Sequence, residues 1–217
     1  MIINLNLKGK NVMVIGGGNE SLKRIKSLLG EGCKITIISK EASPDIRKIA
    51  ADGKVKLDLQ KVQDMKFFTK YKPDLVIITT NEYELNQKII SHAKREKIMV
   101  YSSDNPESSD YANLAVADIG DTLQVAVFTG GKSPAMAKKL LARIRNNMAG
   151  MVSDNDMIQI KIQDIARNLA KEKIPSQKDR KDFLAGIIKD RKIKQLIKDR
   201  MFDKAEDRVI AMLGDRG

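Results

Sequence analysis

The run NVMVIGGGNESLKRIKSLL at positions 11–29 constrains the fold more than any other stretch of the chain. A short β-branched segment, 11–15, meets three glycines and passes into a segment where Leu22, Ile25, Leu28 and Leu29 recur at helical spacing. A buried strand turning straight into an amphipathic helix is half of a parallel crossover unit, so a second strand should follow and lie beside the first. KITIIS at 34–39 is that strand. Pro44 then starts a helix carrying Ile46, Ile49 and Ala50, where a first-turn proline is tolerated. KVKLDLQ (54–60) alternates like a more exposed strand, LVIITT (75–80) is the most apolar one, a helix covers 84–96, and IMVYSS (98–103) is the next strand. Strands and helices alternating at such short intervals predict an α/β fold, a doubly wound parallel sheet with helices on both faces.

The rhythm changes after Pro106. NLAVADIGDTLQVAVFTGG reads as a hairpin turning at IGD, and a helix starts after KSP at 132–134. Beyond 151 only helical segments remain, at 155–172, 179–190, 192–199 and 203–213, with a break at Pro175. The expected organisation is a nucleotide-binding α/β domain over 1–112, a small β-hairpin/helix segment over 113–150, and an all-helical C-terminal domain over 151–217.

Aromatics are scarce at 4% and Trp is absent, so the core must be aliphatic. A single cysteine, Cys33, excludes an internal disulfide framework, and a single histidine, His92, excludes a His-rich metal site. His92 is expected on an exposed helix face. No apolar run approaches the roughly 18 residues of a membrane span. Lys8 and Lys10 interrupt any leader-like segment, so the expected location is the cytoplasm. The net charge of +12 has three readings: a solubilising surface, a nucleic-acid partner, or a small molecule rich in carboxylates drawn in by a positive field. Basic residues form no run of five, which weakens the nucleic-acid reading.

Within GGGNES, Gly16 permits a tight turn, Gly18 lets backbone approach a pyrophosphate, and Ser21 is small enough for helix to pack on sheet. The helix N-terminus offers free N–H groups to phosphates. This is a Rossmann-type turn, with a bare βα turn as the other reading. About 20 residues on, where a dinucleotide enzyme usually places an acid for the ribose, the chain has Lys40 and Glu41. Glu41 suits a ribose if its loop curls back and Lys40 suits a 2′-phosphate, so these residues leave NAD and NADP both open. Thr79, Thr80 and Asn81 stand after the fourth strand, either to hydrogen-bond nicotinamide or ribose or to cap the next helix. Asp104 lies just past the following strand, where open α/β sheets bind ligands. It reads as a base or as a turn former before Asn105-Pro106. Gly130, Gly131 and Lys132 form an anion-friendly loop, with Ser133 as helix cap.

Taken in order, LKGKNVMVIGGGNESLKRIKSLLGEGCKITIIS, LVIITTNEYELN, VYSSDNPE and LQVAVFTGGKSPAMAKKL resemble the siroheme synthase N-terminal family, as does the tail DRKDFLAGIIKDRKIKQLIKD. The resemblance covers nearly the whole chain, and TGGKSPAMA is its most specific piece. It implies NAD as hydride acceptor and precorrin-2 as substrate, oxidised to sirohydrochlorin, with ferrous iron as a further substrate in bifunctional members. It also implies a homodimer built through the central segment. Family cofactor contacts would fall on Asn19, Glu20, Lys40 and Glu41, beside Gly16, Gly18, Thr79, Thr80 and Asn81, which the turn and the strand end already suggest. The family's essential aspartate matches Asp104, and substrate contacts would fall on Thr129, Gly130, Gly131, Lys132 and Ser133. Thr129 stands where some members carry a phosphorylated serine. The chain departs from the pattern at Ser21, at Lys40, and at NPESSDYANLA, which lacks the Cys-Phe and Pro of many members. A polycarboxylate substrate would give the positive charge a use. The alternative function is a non-catalytic nucleotide-sensing or nucleic-acid-binding regulator.

Overall fold

The computed structural model describes residues 2–148 and 150–214, in two compact units, Met1–Asn113 and Leu114–Gly217. The first unit alternates β1 (Asn11–Ile15), α1 (Asn19–Leu28), β2 (Lys34–Ser39), α2 (Pro44–Ala51), β3 (Lys56–Leu59), α3 (Lys66–Tyr71), β4 (Leu75–Ile78), α4 (Tyr83–Arg95) and β5 (Met99–Ser102). All strand pairs are parallel and the order is β3-β2-β1-β4-β5, as expected for one half-sheet wound each way from β1.

Strand parity sorts the core into two layers. Val12, Val14, Ile35, Ile37, Leu75 and Ile77 pack with Ile25, Leu28 and Ile46 of α1 and α2 on one face. Their alternating neighbours Met13, Ile15, Ile38, Val76 and Ile78 pack with Phe67, Phe68, Ile89, Ile90 and Ala93 of α3 and α4 on the other. Helices cover both faces, which is why β1 and β4 read as unbroken apolar runs and not as alternating ones.

The six-residue α3 is an addition to the elements expected from sequence. It is too short to show helical periodicity, and Phe67 and Phe68 stabilise it by tertiary burial. His92 also departs from expectation: it is half-buried, its ring centroid 4.4 Å from that of Phe68, and Nδ1 accepts from Arg95 Nη2 at 2.7 Å. The remaining segments fall within two residues of their expected bounds.

The second unit starts with the antiparallel hairpin β6 (Ala115–Ile119) and β7 (Leu123–Val127), on which α5 (Pro134–Met148) packs. Four helices follow: α6 (Asp154–Lys173), α7 (Gln177–Lys189), α8 (Arg191–Lys198) and α9 (Phe202–Gly214). They share a core of Ile162, Ala166, Ala170, Phe183, Ile187, Ile193, Ile197, Ala205 and Val209. Lys161 of α6 pairs with Asp121 of the hairpin turn at 2.8 Å. Among the described residues, no helix is long and apolar enough to cross a membrane.

Candidate functional site

The carboxyl ends of β1, β2 and β4 open onto a cavity of about 460 Å³. Its walls are Gly16–Gly18, the loop 39–43 after β2, residues 60–62 after β3, and the loop 79–82 after β4. This is the crevice where strand order reverses about β1, the position at which doubly wound sheets take ligands.

Gly16 and Gly17 shape the floor for different reasons. Gly16 has φ +122°, and a Cβ there would lie 2.5 Å from Thr79 Oγ1. Its absence lets Thr79 reach across: Ser21 Oγ and Thr79 Oγ1 are 2.6 Å apart, and Thr79 donates to Ile15 O at 2.9 Å. A Cβ on Gly17 would sit 1.9 Å from the Glu41 carbonyl. The loop after β2 therefore does curl back, and Ser43 N–H donates to Gly17 O at 2.9 Å. A Cβ on Gly18, by contrast, would meet nothing within 4 Å. Gly18 caps α1 without any side-chain hydrogen bond, so no capping side chain competes for the first-turn N–H groups. An open glycine backbone beside an uncapped helix N-terminus fits a pyrophosphate.

Of the expected cofactor residues, Gly16, Gly18, Lys40, Glu41, Thr79, Thr80 and Asn81 line this cavity. Asn19 and Glu20 begin α1 outside its lining. Burial works against the Glu20 charge, yet Lys23 and Arg24 outweigh it and hold the carboxyl below its ordinary range. The N-cap of α4 is Glu82, not Thr80 or Asn81, and it makes no side-chain cap bond. Thr80 is turned instead toward Asn86, to whose Oδ1 it donates at 2.5 Å.

Asp104 follows β5. Asn86 Nδ2 donates to one carboxylate oxygen at 2.9 Å, and the Ser102 hydroxyl donates to the other. Burial alone would raise this carboxyl, but the bonds from Ser102, Asn86 and the backbone of Asp104 and Asn105 prevail and hold it below the ordinary range. The loop around it is tied to the sheet edge: Ser109 Oγ accepts from Ser102 N at 2.9 Å, and Asp110 accepts from Val100 N at 2.8 Å. These side chains satisfy donors that an edge strand would otherwise leave open.

In the second unit, Thr129 Oγ1 accepts from Ser133 N and donates to Ser133 O, both at 3.1 Å, closing the turn. Ser133 caps α5 by accepting from Met136 N at 3.2 Å, while Gly130, Gly131 and Lys132 are exposed.

Several site residues carried only a faint sequence signal. Ser43, Gln60, Lys61 and Val62 line the cavity from loops whose course depends on how β2 and β3 end. Asn86 could have been found: it occupies the apolar stripe of α4 with Ile89, Ile90 and Ala93, where a polar residue is out of place.

The family described as "Putative NAD(P)-binding" matches residues 3–115. A "Putative precorrin-2 dehydrogenase" of Methanocaldococcus jannaschii is 29% identical over 210 residues, covering 94% of this chain and 96% of the relative. A "Precorrin-2 dehydrogenase" of Methanosarcina barkeri is 28% identical over 214 residues, covering 96% of this chain and 91% of the relative. Among solved structures, "SirC, precorrin-2 dehydrogenase" superposes with a TM-score of 0.67 at 24% identity, over 96% of this chain and 99% of that one.

Proposed function

We propose that this chain, which belongs to the NAD(P)-binding family, catalyses the NAD-dependent oxidation of precorrin-2 to sirohydrochlorin. The observation that carries the reading is the joint placement of the glycine-floored cavity and Asp104 at one edge of the sheet, in a chain whose full-length relatives bear the name of this activity. The regulator alternative has no comparable support.

Dehydrogenation removes one hydride and one proton from the reduced macrocycle, and NAD, when bound, accepts the hydride. The chain's own part is to seat the nucleotide and handle the proton. Gly18 and the first turn of α1 would hold the pyrophosphate, Glu41 and Lys40 would serve the ribose, and Thr80 and Asn81 would serve the nicotinamide or its ribose. Hydride loss leaves the macrocycle cationic and its remaining proton acidic, so even a carboxylate as weakly basic as Asp104 suffices to take it. Asp104 is exposed and can pass the proton to water.

Within the second unit, the exposed Gly130, Gly131 and the Lys132 ammonium are of a kind that suits carboxylates. The unit's hairpin and α5 leave Val116, Phe128, Met136, Leu140 and Ile144 exposed, an apolar set that supports a homodimer through this segment.

Purified protein given precorrin-2 and NAD is expected to develop sirohydrochlorin absorbance; no turnover with NAD or NADP overturns the reading. Asp104→Asn should fold normally and lose about 10²–10⁴-fold in kcat, read from the same absorbance. A parallel assay with ferrous iron and sirohydrochlorin measures metal insertion. In that reaction the macrocycle itself would be the main ligand of the metal.

A further inference from the structure

Asn86 is fully buried in the middle of an apolar helix stripe. An amide there is costly unless each of its polar groups is met, and alanine would serve the packing alone. Each group is met. Nδ2 donates to Thr80 O and to Asp104 Oδ2, both at 2.9 Å, and Oδ1 accepts from Thr80 Oγ1 at 2.5 Å. A flipped amide would set its oxygen against a carbonyl and a carboxylate, so only one orientation is tolerated. The second Asp104 oxygen is held by Ser102, which is also fully buried. Asp104 is thus gripped from α4 and from β5, while Thr80, bonded twice to the same amide, lines the nucleotide cavity.

We propose that Asn86 is a positioning residue for the dehydrogenation: its amide fixes the orientation of the Asp104 carboxylate and ties it to Thr80 in the nucleotide wall. This rests on the dehydrogenase reading above. The groups facing Asp104 are Ser102 from β5, Asn86 from α4, and the backbone N–H groups of Asp104 and Asn105. Among the described residues no lysine or arginine is ion-paired with it. Neutral donors alone therefore outweigh burial and hold the carboxylate charged, and removing one must raise its titration.

The test is the pH dependence of kcat/KM and a direct titration of Asp104. Wild-type kcat/KM should stay flat as pH falls toward about 5, because the carboxyl remains ionised. Asn86→Asp has nearly the same volume but makes two carboxyls share a proton, which raises the apparent titration of the pair. It should lose about tenfold in kcat/KM over that pH range and recover as pH rises. Asn86→Ser, smaller and uncharged, should shift in the same direction by less, and it serves if the aspartate variant does not fold. Folding is checked by circular dichroism. The Asp104 carboxyl carbon is followed by ¹³C NMR in the nucleotide-free full chain, where the same upward shifts are expected. This arm needs no turnover, so it judges Asn86 even if the wild-type protein fails to oxidise precorrin-2. Folded variants whose pH profile and carboxyl titration match wild type overturn the proposal.

Discussion

Single atoms decide the floor of the nucleotide cavity. Gly17 has no room for a Cβ, since the Glu41 carbonyl oxygen would be 1.9 Å away and is itself fixed by the Ser43–Gly17 backbone bond. Gly17→Ala must push the 39–43 loop outward, at a cost of about 1–3 kcal/mol from overpacking. The expected outcome is a lower melting temperature together with at least tenfold weaker NAD binding, measured by calorimetry. Gly16 is constrained differently, by its positive φ and by the Thr79 hydroxyl that fills the space of its missing side chain. The Ser21–Thr79–Ile15 chain of hydrogen bonds then locks α1 to β1 and β4. A serine at the third position of the glycine motif is thus a functional substitute: it packs as closely as the site needs and adds a bond.

The elements differ in where their stability lies. β1 and β4 are buried on both faces and carry the sheet, whereas β5 is an edge strand whose free N–H groups are met by Ser109 and Asp110. The loop bearing Asp104 is therefore anchored at both ends, which suits a carboxylate that must hold its place. In the second unit, α6 begins with a capping box: Ser153 Oγ accepts from Asp156 N at 3.2 Å, and Asp156 accepts from Ser153 N at 2.8 Å. Ser153→Ala removes one half of that exchange and should cost about 1 kcal/mol, seen as a lower midpoint in thermal or urea unfolding. NAD binding at the first unit should be unchanged. Most of these elements were legible in the chain, because β-branched runs and helical stripes are local. The short α3 was not, since Phe67 and Phe68 make a helix only by being buried against the sheet.

For the protein entire, the net charge of +12 suits the proposed substrate, which carries many carboxylates. Attraction at a distance is screened by salt, with a Debye length of about 10 Å at 0.1 M. Raising the ionic strength should therefore raise KM for precorrin-2 several-fold, while the KM for NAD, with fewer charges and a mostly short-range seat, moves less. Steady-state kinetics across a salt series at constant pH checks this. Equal shifts in both would show that the charge serves solubility and not substrate capture.

Local pattern was enough to reveal the alternation of strand and helix, the glycine turn, and Asp104 at a strand end, because each depends on neighbours within a few residues. The same pattern left Lys40 and Glu41 beside an unplaced loop, and left Thr80 and Asn81 as caps or ligands. Those choices turned on contacts between residues far apart in the chain: Gly17 with Glu41, Thr79 with Ser21, and Asn86 with Asp104. A hydrogen bond spanning 58 residues leaves no periodic trace, since its partners are brought together only when parallel strands set their register. The chain specifies that a nucleotide turn and a carboxylate exist. The tie that runs from Asp104 through the buried Asn86 amide to Thr80 in the cavity wall arises only when β4, α4 and β5 pack together.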